Sequence, residues 1–326
     1  MARSRAAYLA RKSTYAFITV VIVIVFNFLL FRVMPGDPAR ILIPRGHNVP
    51  LSLIARMREF YGLDKPLPTQ LVSYVIQTLQ LNLGYSFYYK APVADVIAAW
   101  LPNTLLLVGI SEVIAILLGF STGAIAGWRR GKRFDLFATS FGLTTWSMPT
   151  FWLGIVLIMV FSVQLGIFPV GGVRTAEMAY TNIFQQIEDV GMHLILPVIT
   201  LTLVSFAEYL MIMRNSLVDV MTEDFVLTAR AKGLKESTVI NVHARRNALI
   251  PVFTLLGYTI AWLLGGVVLI EAVFNYLGIG YWTTQAMLNG DVGGIMGATV
   301  ILGLTFIFAN LGVDIAYGFL DPRIRH

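Results

Sequence analysis

The chain has 326 residues, of which 57% are hydrophobic and only 13% are charged, whereas a soluble globular domain carries about 25% charged residues. This composition indicates a membrane protein. The lack of cysteine excludes disulfides and thiol chemistry, and the four histidines have no ligand spacing, so no metal site is expected. The net charge of +6 is not gathered on a soluble domain, so no nucleic-acid partner is expected.

Six apolar segments are long enough to cross a bilayer, because a helix needs about 20 mostly apolar residues to do so. The third segment is nearly twice that length, so its helix must end early, before Pro169, Gly171 and Gly172. The sequence therefore predicts an all-α membrane protein with six transmembrane helices. In chain order the segments are 13–31, 101–128, 136–173, 194–213, 247–270 and 292–313.

Lysine and arginine are distributed unevenly between the two sides that six spans define. The N-terminus, the loop 129–133, the segment 214–247 and the C-terminal tail hold 16 of the 24 basic residues. Basic loops stay on the cytoplasmic side, so both termini and the segment 214–247 are predicted to be cytoplasmic. The first segment is longer than the core of a signal peptide, of about 7 to 15 residues, and is interpreted as retained.

The chain is predicted to form one domain over residues 1–326, since it contains no repeat, low-complexity tract or linker. The extracytoplasmic segment 35–100 contains two stretches with helical spacing of apolar residues, SLIARMREFYGL and TQLVSYVIQTLQ. Gly62 would end the first of these helices. Helices lying on the membrane surface or packing on the bundle are favoured here over contacts with substrate or a receptor.

The cytoplasmic stretch TEDFVLTARAKG, residues 222–233, has the start and stop signals of a short helix. Thr222 is the expected N-cap, the acids that follow it suit the first turn, and Gly233 is expected to end the helix in a left-handed conformation. Phe225, Val226 and Ala229 would form a small apolar face, and a second helix is expected from Ser237. Such a helix is either a solvated connector or a docking element for a soluble partner.

Motif order along the whole chain decides between these two interpretations. TARAKGL followed by HARRNALIP resembles the EAA loop of ABC importer permeases of the dipeptide and oligopeptide family. RVMPGDPA, GLDKPLPTQ, LGYSF, LPNTLLL, SMPTFWLG, LGIFPVGG, HLILPVITL, LIEAVF and DPRIR also resemble that family, and they occur in its order.

The resemblance implies a type I ABC importer permease fold in a bacterial inner or plasma membrane, with a cytoplasmic coupling helix. It also implies several partners: a second homologous permease, two ABC ATPase subunits, an extracytoplasmic substrate-binding protein and membrane lipid. The implied ATPase-coupling residues are Phe225, Ala229, Arg230, Ala231, Lys232, Gly233 and Leu234.

The chain departs from the family pattern at a few positions. Phe225 replaces a common tyrosine, Leu277 stands where a proline usually precedes Gly278, and Val292 and Gly293 replace an aromatic residue and a proline after Asp291. The family pattern therefore does not predict the shape of the outer loop 275–292.

Enzymatic motifs are missing from the sequence. It has no G-x-x-x-x-G-K-[ST] loop, no G-x-S-x-G elbow and no H-E-x-x-H helix. The chain is therefore expected to be a transport subunit that binds no cofactor itself, with ATP and magnesium held by the partner ATPases.

Ionisable residues inside membrane spans are costly and each needs a role. For Glu112 a structural hydrogen bond and a place on the translocation path are equally favoured. Glu271 and Asp314 lie near helix ends, where a packing role is favoured. Ser147 and Pro149 could form a kink that lines the path, although ordinary helix bending explains them equally well.

The leading hypothesis is a permease subunit of an ATP-driven importer of di- and oligopeptides. The same machinery importing nickel complexes, glutathione or another small solute is the alternative within this class. An ion-coupled secondary transporter, with Glu112 and Glu208 as ion sites, is the rival from another class. That rival predicts internal repeat symmetry, which the sequence does not have.

Overall fold

The structure is a computed structural model that describes residues 2–33, 62–86, 88–249 and 267–320, together with positions 52 and 55. Most of these residues are helical. The helices are α1 (Ala2–Val33), α2 (Leu67–Leu79), α3 (Val93–Trp128), α4 (Arg133–Ser147), α5 (Thr150–Leu157), α6 (Ile183–Val220), α7 (Asp224–Ala231), α8 (Glu236–Thr238), α9 (Ile279–Leu288) and α10 (Val292–Leu320). The π-helical segments Ile158–Gln164 and Val239–Ala244 continue α5 and α8, and strands β1 (Tyr85–Ser86) and β2 (Ala91–Pro92) form an antiparallel hairpin.

Four of the described helices, α1, α3, α6 and α10, are long and apolar enough to span a membrane. They correspond to the first, second, fourth and sixth predicted spans. Helix α4 and the segment 150–164 pass the same test together as one broken span, which raises the number to five. Most of the predicted fifth span, 247–270, lies outside the described residues, as does the predicted outer helix before Gly62.

Several predicted boundaries were wrong. Helix α3 begins at Val93 rather than residue 101 and continues through Pro102, and α6 begins at Ile183 rather than residue 194 and continues through Pro197. The predicted limits followed the apolar segments, but hydropathy marks where a helix meets lipid and not where its backbone hydrogen bonds stop. Flanking acids such as Asp95 therefore lie inside the helices.

The third predicted span is two helices rather than one. The chain bends by 101° between α4 and the segment 150–164, and both Met148 and Pro149 have extended backbone, with ψ of 135° and 127°. Proline disfavours helical backbone in the residue before it, so Met148 ends α4 and Pro149 becomes the N-cap of α5. Helical structure then ends at Gln164, which confirms the predicted stop before Pro169.

The chain divides into two compact units, Met1–Thr104 with Leu277–His326, and Leu105–Tyr276. In the first unit α1 packs on α10 through Val20, Ile24 and Ile307. Lys12 Nζ lies 2.9 Å from Asp314 Oδ2, which confirms the packing role expected for Asp314. One domain over residues 1–326 stays a prediction.

The hairpin of the first unit packs on the start of α10. The fully buried Asp291 accepts hydrogen bonds from the Ser86 hydroxyl and from the Gly294 N–H. A Cβ at Gly293 would collide with the Tyr85 carbonyl, so a small residue is required there. The departure from the family pattern at 293 thus coincides with a close approach of the hairpin backbone.

The second unit is built around α6, whose apolar side contacts α3 and α4. Tyr209, Met213 and Leu217 of α6 are fully buried in a cluster that also contains Val226 of α7 and residues from the segment 239–248. A second cluster includes Phe206 and Leu210 of α6 with Ala138 of α4. Helix α6 therefore connects the membrane part of this unit directly to the loop 214–247.

Candidate functional site

The loop 214–247 contains α7, which is eight residues long and begins at Asp224. Its N-cap is Glu223, whose side chain makes no capping bond. The predicted cap was wrong: Glu223 occupies the N-cap position, and the Thr222 hydroxyl one residue earlier donates to the Asp219 carbonyl (2.7 Å) at the end of α6. The second predicted helix begins one residue early, at Glu236.

The C-terminus of α7 is as predicted. Gly233 has φ of +74°, the left-handed conformation that glycine adopts without strain. The Gly233 N–H donates to the Arg230 carbonyl (2.9 Å) and the Leu234 N–H to the Ala229 carbonyl (3.4 Å). These two bonds form a Schellman motif, which ends the helix and fixes the direction of the chain after it.

One side of α7 is buried in its own unit. Val226 is fully buried and Ala229 is buried beside it, while Phe225 packs half-buried on the same cluster. The predicted apolar face is thus confirmed, but it faces this chain. The small side chain of Ala229 was expected to let a partner approach the helix closely. It is unavailable to a partner, because it packs on the cluster that contains α6.

The other side of α7 and the turn after it are exposed. This surface, called here the α7 outer surface, consists of Leu227, Arg230, Ala231, Lys232, Gly233 and Leu234. Leu227 is 54% exposed and Leu234 is 40% exposed. Two apolar side chains beside two cations suit a protein partner better than water alone, since interface centres combine apolar contact with arginine.

An exposed ion pair lies across this surface. Arg230 donates from Nη2 to Glu236 Oε1 at 2.6 Å and from Nε to Oε2 at 3.2 Å, so the contact is bidentate and spans the turn at Gly233. The hydrogen bond from Arg230 holds the pKa of Glu236 below its usual value of 4.5. The pair therefore stays ionised at neutral pH, and it is lost only when acidification passes that lowered pKa.

An ion pair with a buried carboxylate connects α4 to α6 where the loop 214–247 begins. The Asp135 carboxylate, 2% exposed, accepts from Arg214 Nη2 (2.8 Å) and Nε, and also from the Gly131 N–H (2.8 Å). The Thr139 hydroxyl lies 3.3 Å from its other oxygen. Asp135 thus joins the turn before α4 to α6. The sequence did not indicate this role, because an acid near the start of a helix is usually there only as a favourable charge for the helix dipole.

A row of glycines joins α3 to α6. Gly119, Gly123 and Gly127 face the α6 backbone: a Cβ at Gly123 would lie 2.6 Å from the Leu210 carbonyl oxygen, and one at Gly127 would lie 2.9 Å from that of Arg214. Close helix packing through glycines four residues apart is common in membranes. The G-x-x-x-G spacing is visible in the sequence and could have predicted this contact.

Within the described residues, no hydrogen bond joins the candidate translocation residues to one another. Glu112 is 4% exposed, its Oε1 accepts from the Tyr209 hydroxyl, and its Oε2 has no hydrogen-bond partner among the described residues. Ser147 and Pro149 are exposed at the break after α4, and the Ser147 hydroxyl donates to the Leu143 carbonyl (2.7 Å). These contacts favour a structural hydrogen bond for Glu112.

Within the ranges that the structure describes, no three or more histidine or acidic side chains lie close enough to hold a metal ion.

Comparison with known families identifies the chain. Residues 115–326 match the family described as binding-protein-dependent transport system inner membrane component, and residues 6–108 match its N-terminal companion family. The chain belongs to this family. It is accordingly a multi-pass permease component of the cell membrane and not a catalytic subunit.

Several curated relatives match along nearly their whole length. The probable peptide ABC transporter permease protein y4tP of Sinorhizobium fredii is 35% identical over 98% of this chain and 99% of its own. The oligopeptide transport system permease protein AppB of Bacillus subtilis is 35% identical over 98% of this chain and 100% of its own. The di/tripeptide transport system permease protein DppB of Pseudomonas aeruginosa is 36% identical over 98% and 99%.

Proposed function

We propose that this chain is the permease subunit of an ATP-driven importer of di- and oligopeptides and forms the translocation path with a second, homologous permease. In this proposal two cytoplasmic ABC ATPase subunits bind ATP and magnesium, and an extracytoplasmic binding protein delivers the peptide. Peptide cargo is supported by the three relatives, each named as a peptide, oligopeptide or di/tripeptide permease. Import of nickel complexes, glutathione or another small solute by the same machinery is the alternative.

The proposed topology has six spans with both termini in the cytoplasm. The distribution of basic residues supports it, because the loops 129–133 and 214–247 then lie on the cytoplasmic side. The segment 35–100 lies outside the cell in this arrangement.

The observation that carries the proposal is the two-sided nature of α7. Val226 and Ala229 anchor the helix in the core that contains α6, while the α7 outer surface remains exposed. In the proposal an ATPase subunit binds Arg230, Ala231, Lys232, Gly233 and Leu234 from outside, and Phe225 and Ala229 transmit the resulting movement to α6. A short helix anchored in a packed core is suited to transmitting movement, because packed cores shift between discrete arrangements.

The break after α4 is proposed to line the translocation path. Met148 and Pro149 are extended, so their backbone polar groups are not all used within a helix. Non-helical backbone at membrane depth is tolerated where it lines a cavity or is buried in protein. Ser147 and Pro149 are assigned to the path, and Glu112 to a hydrogen bond within the bundle.

The test is uptake by the complete transporter, reconstituted in liposomes with its permease partner, ATPases and binding protein. Labelled di- to pentapeptides are expected to accumulate in the liposomes only when ATP is supplied on the side of the membrane where the ATPase subunits lie. Collapse of the proton gradient should leave peptide uptake unchanged. Uptake of a nickel complex or glutathione, without uptake of peptides, would mean that the alternative cargo is the correct one. Uptake that follows an ion gradient without ATP would contradict the mechanism.

A further inference from the structure

The turn between α3 and α4 forms an open concavity in the second unit. Its volume is about 540 Å³. Gly131, with φ of +76°, reverses the chain here. The lining residues are Trp128, Arg129, Lys132, Arg133 and Phe134; this set is called the basic concavity.

The cations of the basic concavity have no acidic partner in the part of the chain that the structure describes. The Arg129 guanidinium lies 5.7 Å from the centroid of the Trp128 ring, and Arg129, Lys132 and Arg133 make no ion pair with a described residue. Asp135 is the neighbouring acid, but it is buried and bound to Arg214 and the Gly131 N–H. Three positive charges therefore share a concave surface.

The N-terminus of α4 adds to this positive field. The helix is 15 residues long, and no side chain caps its first amides. The N-terminus of such a helix favours anions. Its contribution supplements the three side chains, which carry the main charge.

The position of the basic concavity selects the kind of anion. Trp128 is the last residue of the α3 span and is 46% exposed, and tryptophan is enriched at membrane interfaces. On the next turn of α4, Leu136 is 62% exposed and Phe137 is 70% exposed. A cationic concavity at the end of a span, continuous with exposed apolar side chains, matches an anionic headgroup with its acyl chains.

We propose that the basic concavity binds the phosphate of an anionic phospholipid, whose acyl chains lie against Leu136 and Phe137. A soluble anion would gain nothing from those two side chains. The bound lipid would hold the turn at Gly131, and through Asp135 it would steady the contact between α4 and α6. This proposal does not depend on the cargo or on ATP coupling.

The test measures lipid retained by the purified chain, by native mass spectrometry after exposure to equal amounts of phosphatidylglycerol and phosphatidylcholine. The wild type is expected to retain phosphatidylglycerol selectively. The pocket variant Arg129→Gln/Lys132→Gln/Arg133→Gln should retain it at least about tenfold less, given the usual contribution of each basic residue near a membrane. Phosphatidylcholine retention should not change.

The matched control is Arg130→Gln/Arg245→Gln/Arg246→Gln, which removes the same charge from exposed residues that do not line the concavity. It should retain phosphatidylglycerol like the wild type. Equal loss in both variants, or no loss in the pocket variant, would overturn the proposal. So would displacement of the lipid by millimolar inorganic phosphate, or loss of an ATPase subunit rather than lipid from the pocket variant in the whole complex. The single variant Lys132→Gln provides the measurement if the triple variant fails to fold, and it should show a smaller, selective loss.

Discussion

Single residues decide where α7 begins and ends and which of its sides is exposed. Gly233 could be predicted because glycine after a basic helical turn is a common stop signal, and its φ of +74° confirms the prediction. Thr222 was placed one residue too early for the cap, because the sequence does not mark the end of α6 at Val220, and the Thr222 hydroxyl donates back to the Asp219 carbonyl of that helix. Ala229 shows the same limit: sequence marked it as part of the loop motif, but only packing decides which side it faces.

Gly233→Val should impair coupling without removing any contact of a side chain. Valine at a left-handed position costs about 1–2 kcal/mol or more, so the turn should open and the α7 outer surface should change shape. ATP-driven uptake is expected to fall severalfold more than ATP hydrolysis, measured on the same proteoliposomes. Gly290→Val is the matched control, since Gly290 also has positive φ (+65°) and open space around it but lies in the other unit. Equal effects of the two variants on coupling would contradict the assignment.

Asp135→Asn should destabilise the second unit, because it leaves the Arg214 guanidinium without its charged partner. Breaking a buried pair in this way costs about 3 kcal/mol. The measurement is thermal unfolding in detergent followed by tryptophan fluorescence. The double variant Asp135→Leu/Arg214→Met should be more stable than Asp135→Asn, since no buried charge is then unpaired. A double variant that is less stable than the single one would argue against the ion pair.

At the scale of elements, apolar segments predicted which helices exist but not where they end. Proline did not stop α3 at Pro102 or α6 at Pro197, since one missing backbone hydrogen bond is tolerated within a membrane helix. The break at Pro149 differs because the extended Met148 precedes it. The two-residue strands and the π-helical segments carry no periodicity, so no sequence pattern could have found them.

Gly123→Leu should separate α3 from α6. The new side chain would enter the α6 backbone near Leu210, and overpacking of this kind costs about 1–3 kcal/mol or more. Gly109→Leu is the control on the same helix, because no atom lies within 4 Å of its hypothetical Cβ. Unfolding temperatures of the two purified variants should differ by several degrees. Similar temperatures would mean that the glycine row is not a close contact.

At the scale of the whole molecule, family membership could be anticipated from motif order along the entire chain, whereas cargo could not. No residue of the described spans has a contact that selects a peptide over a nickel complex. The proposed ATPase partners remain a prediction: the sequence has no phosphate-binding loop, so in the proposal another subunit binds ATP.

The purified chain should hydrolyse no ATP by itself. Hydrolysis should appear when the ATPase subunits and the second permease are added, and it should rise when the loaded binding protein is added. A phosphate-release assay on a clean preparation checks both statements. Appreciable hydrolysis by the chain alone would contradict the division of labour proposed here.

The central claim is that an ATPase subunit binds the α7 outer surface. The natural chain has no cysteine, so single cysteines can be introduced without background and cross-linked in the assembled transporter. Lys232→Cys, on the exposed side, should cross-link efficiently to an ATPase subunit, and Val226→Cys, fully buried, should not. Absence of a cross-link at 232 in a complex that assembles and transports normally would contradict the claim.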